Sequence, residues 1–122
     1  MEYTISQAAN KAKLTPSTLR YYEKEGLILN INRSQKGIRY FTEEDLDWIS
    51  TICCLKETGM SIKDIRQYCS LCLRGDETLN QRLDIFKHHK EHILKDIEEL
   101  QKHLTKIDRK INYYKTNIGA IK

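Results

Sequence analysis

The most regular pattern in the chain occupies its last third. Leu79, Leu83, Phe86, Lys90, Ile93, Ile97, Leu100, Leu104, Ile107, Ile111, Tyr114 and Ile118 alternate steps of four and three without a slip. On a helix this spacing draws one apolar stripe, the a/d seam of a coiled coil, with Lys90 as its one polar entry. A helix over 78–117 would be roughly 60 Å long at about 1.5 Å per residue. A small domain cannot cover so long a seam, so the pattern predicts a dimeric coiled coil. Shorter amphipathic patterns precede it. Leu46, Trp48, Ile49, Ile52, Cys53 and Leu55 fall within one half of a helical wheel. Ile62, Ile65, Cys69 and Cys72 or Leu73 form a second stripe, which should pack back on the first across the Gly59-Met60 turn. Ile5, Ala8, Ala9 and Ala12 offer small residues that let another helix come close.

Boundaries come from capping chemistry. Thr4 precedes Gln7 by three residues, as Thr42 does Asp45, Ser61 does Asp64 and Thr78 does Gln81. Each pair has capping-box spacing. Thr15-Pro16 is a fifth start, with the hydroxyl at N-cap and the proline at N1, where its missing N–H costs nothing. Helices are therefore expected over about 4–12, 15–25, 42–58, 61–73 and 78–117, with a hairpin near 31–40. Gly26 offers the second helix a left-handed stop.

Composition agrees with this and narrows it. A hydrophobic fraction of 39% against 31% charged residues suits a chain with much exposed helix, or with an apolar face saved for a partner. One proline and five glycines leave little room for an all-β fold. No apolar run approaches membrane-spanning length, and an N-terminus reading MEYTISQAA is no signal peptide. The expectation is a soluble cytoplasmic protein with no membrane partner, whose four cysteines are thiols. The net charge of +4 is modest, but its distribution is uneven. Residues 1–40 carry seven Lys/Arg against Glu2, Glu23 and Glu25, whereas residues 41–122 are balanced at fourteen each. The excess belongs to the segment that can meet phosphate.

Within that segment, Thr15–Leu27 should turn Leu19, Tyr22 and Leu27 inward. Its other face carries Ser17, Thr18, Arg20, Tyr21 and Lys24. Hydroxyls, a guanidinium, a phenol and an ammonium reach phosphates and base edges, and are poor core material. The following hairpin, around Gly37, should expose Arg33, Lys36 and Arg39 with no acid among them. A basic helix beside a basic hairpin is the profile of a winged helix-turn-helix. No nucleophile–base pair, phosphate loop or metal motif appears, so an enzyme is not expected and no cofactor is implied.

The segments TLRYYEKEGLI, GIRYFTEEDL and LKETGMSIKDI, in that order and spacing, resemble the MerR family of transcription regulators. The resemblance implies a mainly α protein: a winged helix-turn-helix DNA-binding domain with a two-helix hub over 1–75, then a long dimerisation coiled-coil helix over 76–122. It implies an antiparallel homodimer that bends and untwists promoter DNA so that RNA polymerase can use an over-long spacer. Two-fold symmetry asks for an inverted-repeat operator. By motif, Ser17, Thr18, Arg20 and Tyr21 would meet bases and phosphates, with Arg20 foremost. Arg33, Lys36, Arg39 and Tyr40 would grip the backbone from the wing. Core packing is the competing role for Tyr21, Tyr22 and Tyr40.

The family also bears on the signal. Its metal sensors place a cysteine at the start of the dimer helix and more at its far end. Here the first site reads Gly75-Asp76-Glu77-Thr78, and no cysteine follows Cys72. Cys69-Ser-Leu-Cys72 lacks a second ligand pair for zinc, and His88, His89 and His92 read as a solvated face. Other members carry a separate C-terminal ligand domain, and this chain ends soon after the coil, so no large organic effector is expected. Thiol chemistry is left. Cys53 falls in the apolar half of its helix, whereas Cys54 lies about 100° further round, on the polar face. Cys54 before LKETGMS resembles the sensor cysteine of the aldehyde- and nitrosative-stress-responsive branch, with Lys56, Lys63 and Arg66 as cations near in sequence. Competing readings are a regulator sensing metal or a small ligand, a coiled-coil interaction protein, a signal-free DNA-binder, and a redox enzyme using Cys69 and Cys72.

Overall fold

Four helices begin on a hydroxyl cap in the computed structural model, which describes residues 1–29 and 31–121. The last position of the 76–122 segment thus lies outside the described residues. Thr4 caps α1 (Ile5–Lys11) and Thr42 caps α3 (Glu43–Glu57), each in a reciprocal capping box with Gln7 or Asp45. Thr15 caps α2 (Pro16–Lys24) and Ser61 caps α4 (Ile62–Arg74), accepting the N–H of Thr18 and Asp64. Between α2 and α3, strands β1 (Asn32–Arg33) and β2 (Arg39–Tyr40) pair antiparallel, Asn32 opposite Tyr40 and Arg33 opposite Arg39. Helix α5 runs from Leu79 to Ile121.

The chain divides into two compact units, one spanning Met1–Leu83 and the other beginning at Asp84. The first has a conventional core. Ala8 and Ala9 of α1, Leu19 of α2, Leu27, Phe41, Ile49, Ile52 and Leu55 of α3, and Ile65 and Cys69 of α4 are at most 2% exposed. Each predicted inward stripe supplies core residues, though Ile5, Ala12, Leu46, Trp48, Cys53 and Ile62 are half-buried; of Cys72 and Leu73 the first is half-buried and the second faces solvent, and Leu71 is buried instead.

The segment after α2 is held by its backbone. Gly26 takes φ +78°, the left-handed conformation that ends the helix. The carbonyl of Leu27, just beyond, accepts the Trp48 indole N–H at 2.7 Å and faces the Cys69 thiol at 3.6 Å. Trp48 in turn stacks on Tyr68 at 5.6 Å between ring centroids. Helices α3 and α4 thus fix the exit of α2 through one oxygen. A contact without a sequence signal closes the other side. Tyr3 and Phe41 exchange N–H···O bonds of 2.8 Å in both directions, joining the N-terminus to the end of β2.

The α4–α5 junction departs from expectation. Thr78 does not cap α5 with Gln81 as its partner. It sits in a 3-10 turn over Asp76–Thr78, fully buried, and its hydroxyl lies 2.7 Å from the Leu71 carbonyl and 2.8 Å from that of Gly75. Arg82 donates to Thr78 Oγ1 at 3.1 Å and to the Gly75 carbonyl at 2.9 Å. Here the orphan carbonyls at the end of α4 have drawn the hydroxyl.

Helix α5 has 43 residues, about 65 Å at its standard rise, and buries none of them. Its seam is open: Leu83, Ile97, Leu100, Leu104, Ile107, Ile111, Tyr114 and Ile118 are 45–66% exposed. Among the described residues no helix is long and apolar enough to cross a membrane.

Candidate nucleic-acid interface and thiol cleft

Helix α2 divides cleanly into two faces. Leu19 and Tyr22 are buried, while Ser17, Arg20, Tyr21 and Lys24 are exposed. Thr18 differs from the expected exposed hydroxyl. It is half-buried, and its Oγ1 lies 2.9 Å from that of the N-cap Thr15. Tyr21 is 48% exposed, with its ring beside that of Tyr22, which supports a surface role over a core one.

The wing turn is closed by hydrogen bonds from Gly37 N–H to the Ser34 carbonyl and from Ser34 N–H to the Ile38 carbonyl, each 2.8 Å. Gly37 takes φ +79°, a conformation that favours glycine. Lys36 is exposed at this turn, and Arg33 is exposed with Nη1 donating to the Gly37 carbonyl at 3.1 Å. Arg39 is not exposed as the sequence suggests. It is half-buried because an acid from another element meets it: Arg39 Nε donates to Glu23 Oε1 at 2.6 Å, and Arg33 Nη2 lies 3.7 Å from Glu23 Oε2. Tyr40 is half-buried on β2.

The acid two residues on, Glu25, reaches the hub. Arg66 of α4 donates Nε to the Glu25 carbonyl at 2.9 Å and Nη2 to its carboxylate at 3.1 Å. A guanidinium thus caps the negative end of α2. Arg66 is committed there and does not serve Cys54.

Cys54 is exposed, and Cys53 half-buried. Both line a cleft of about 320 Å³ with Lys11, Ala12, Lys13, Leu46, Ser50 and Glu57. Burial first, and then the Glu57 carboxylate, push the Cys53 thiol up. The cations that line this cleft with Cys54 are Lys11 and Lys13; the candidates near in sequence, Lys56, Lys63 and Arg66, are not among its lining residues. Lys13 is held there by a left-handed backbone, φ +59°, at the exit of α1. Nothing in its local sequence announces a meeting with residues forty positions away. Cys69 is buried, and burial, with Cys72 beside it, raises its thiol to about 11. No group of three or more His, Cys, Asp or Glu among the described residues is arranged to hold a metal ion.

Comparison with known proteins decides the family. Residues 3–72 match the MerR HTH family regulatory protein model, and residues 46–110 match a MerR DNA-binding model. This chain belongs to the MerR family. An HTH-type transcriptional regulator of Haemophilus influenzae is 39% identical, aligned over 100% of this chain and 92% of its own. The regulator AdhR of Bacillus subtilis is 39% identical over 74% of this chain and 64% of its own. The crystal structure of HiNmlR, a MerR family regulator lacking the sensor domain and bound to promoter DNA, has a TM-score of 0.90 at 40% identity, covering 95% of this chain and 92% of that one. The relatives are transcriptional regulators, not enzymes.

For this MerR regulator, the structure brings Ser17, Arg20, Tyr21 and Lys24 onto one exposed face, and pins the wing that carries Arg33, Lys36, Arg39 and Tyr40 to the last turn of the same helix. Glu23 is the residue missed by sequence reasoning. The signal was present only as an acid breaking a basic segment.

Proposed function

We propose that this MerR-family transcription regulator binds promoter DNA as a homodimer, recognising an inverted-repeat operator in the cytoplasm. Ser17, Thr18, Arg20 and Tyr21 contact bases and phosphates from α2, and Arg33, Lys36, Arg39 and Tyr40 hold the backbone from the wing. Residues 1–75 are the reader with its hub, and 76–122 the dimerisation segment. The dimer distorts the duplex between the promoter elements read by RNA polymerase, controlling transcription by deformation rather than occlusion. The observation that carries this reading is the exposed polar and basic face of α2 with an arginine-bearing wing fastened beside it. The open seam of α5 supports the dimer, and HiNmlR's promoter DNA supports the ligand.

The signal we propose is an aldehyde or nitrosating electrophile acting on Cys54. The Cys54 thiolate would add to a carbonyl carbon, forming a C–S bond as the C=O π pair takes up a proton, giving a hemithioacetal. The exposure of Cys54 and its lysine-bordered cleft support this. A duplex selected by the protein from a random pool, placed before a reporter, gives the test. Arg20→Ala should weaken binding by about 1–3 kcal/mol. Cys54→Ala should bind normally yet lose the reporter's response to formaldehyde. An unchanged response would sink the thiol switch, and unchanged binding by Arg20→Ala would sink the assigned interface.

A further inference from the structure

The wing's two arginines meet an acid before they meet any nucleic acid. Glu23 lies on the last turn of α2, half-buried, and its two carboxylate oxygens face different strands: Oε1 takes the Arg39 Nε–H of β2 at 2.6 Å, and Oε2 lies 3.7 Å from Arg33 Nη2 of β1. Charge alone makes this a poor place for a carboxylate. A negative group beside a face that meets phosphate repels the ligand, and an arginine already paired is partly neutralised.

The geometry of the bond gives the carboxylate another role. A guanidinium has an inner donor, Nε, and an outer pair of terminal nitrogens. Glu23 occupies the inner donor of Arg39. Among the described residues, the terminal nitrogens of Arg39 make no hydrogen bond within the chain. A phosphate can therefore engage the outer edge while Glu23 keeps the inner one. Arg33 is restrained as well, because its Nη1 donates to the Gly37 carbonyl of the wing turn while Nη2 faces Glu23. A two-stranded hairpin with two residues per strand has little stiffness of its own. The carboxylate supplies a link from recognition helix to wing that the short strands lack.

We infer that Glu23 is a positioning residue for DNA binding: it fixes the wing against α2 and aims the outer edge of Arg39 at a backbone phosphate. The inference rests on the DNA-binding reading above. It opposes what electrostatics alone predicts, since removing an acid from a DNA-facing surface should tighten binding to any duplex.

The test compares full-length wild type, Glu23→Gln and Glu23→Ala on the pool-selected duplex and on a random-sequence duplex of equal length. Positioning predicts that Glu23→Ala binds the selected duplex about tenfold more weakly, the scale of one charge-assisted contact. Glu23→Gln keeps an acceptor for Arg39 and should lose less. In an Arg39→Ala background, Glu23→Ala should cost less than in the wild type, because the group it aims is gone and only the longer contact to Arg33 is left to lose. Binding to the random duplex should weaken as well, by no more than that, because a phosphate is offered by any sequence. Tighter binding of both duplexes, in step, by both Glu23 variants would overturn the inference and leave Glu23 a mere repulsive charge. If Glu23→Ala melts early by circular dichroism, the near-isosteric Glu23→Gln carries the comparison. A pool from which wild type enriches no sequence would instead overturn the DNA reading, and this inference with it.

Discussion

In the Met1–Leu83 unit, Leu19, Leu27, Ile49, Ile52 and Ile65 are at most 1% exposed, whereas Ile97, Leu100, Leu104, Ile107 and Ile111 of α5 are 45–66% exposed. The residue types are the same; the difference is what the spacing permits. In the first unit, stripes on short helices face one another and close a core. In the second, a strict four-three seam on one helix has no facing surface in its own unit. Apolar burial contributes about 25 cal/mol per Å², so the first unit draws its stability from within the chain. On the dimer reading, the second draws it from another copy.

The sharpest way to break that contrast is a charge in the seam. With Leu100→Asp, both copies of a self-complementary seam acquire the carboxylate, so every dimer carries it twice. Sedimentation should show monomer, and binding to the selected duplex should fall by about 100-fold or more as two-site avidity is lost. A dimer that persists at the same concentration would show that α5 is not the interface. The next largest effect belongs to the other region. Ile52→Ala leaves a cavity in a site with no exposure and should cost about 2–5 kcal/mol of folding free energy. Trp48 is the sole tryptophan and lies in the first unit, so its fluorescence during urea unfolding reads that unit directly. The same variant should remain dimeric under native conditions.

What was legible in the sequence follows the range of the forces involved. Caps act over three residues, so Thr4, Thr15, Thr42 and Ser61 could be assigned from their neighbours, and helix starts fall beside them. Periodicity acts over a few turns, so the inward faces of α2 and α3 and the seam of α5 were legible too. Thr78 shows where this ends. Its spacing to Gln81 imitates a cap, but the carbonyls of Leu71 and Gly75 compete for the hydroxyl once α4 folds back. Polar pairings between distant segments had no local trace. Glu23 with Arg39, Arg66 with Glu25, and Lys11 and Lys13 in one cleft with Cys54 each depend on elements meeting in space. The residues proposed to face DNA came from chemistry on one helix and one hairpin. The pairing of Glu23 with their arginines is the part only the fold could supply.

A smaller effect comes from the buried thiol of the first unit. Cys69 is 1% exposed, its Sγ lies 3.6 Å from the Leu27 carbonyl, and burial raises its thiol from 9.0 to about 11. That contact requires the protonated form, since a thiolate has no hydrogen to donate. Above pH 9 the unfolded chain releases this proton while the folded chain keeps it, so the folded state binds more protons and stability falls as pH rises. The contribution is fully present below pH 9 and is lost progressively up to about 11. Burial likewise raises the Tyr68 phenol to about 12, with Cys72 adding to the shift, so Tyr68 adds a decline in the same direction at the top of this window. Urea unfolding of the first unit, followed by Trp48 fluorescence at pH 8, 9 and 10, should show stability falling by on the order of 1–2 kcal/mol. Cys69→Ala should be less stable at pH 8 yet flatter across this range, because the group that resists ionisation is gone. A slope that stays at the wild-type value in Cys69→Ala would mean that the thiol beneath α2 is not the group whose proton the fold protects.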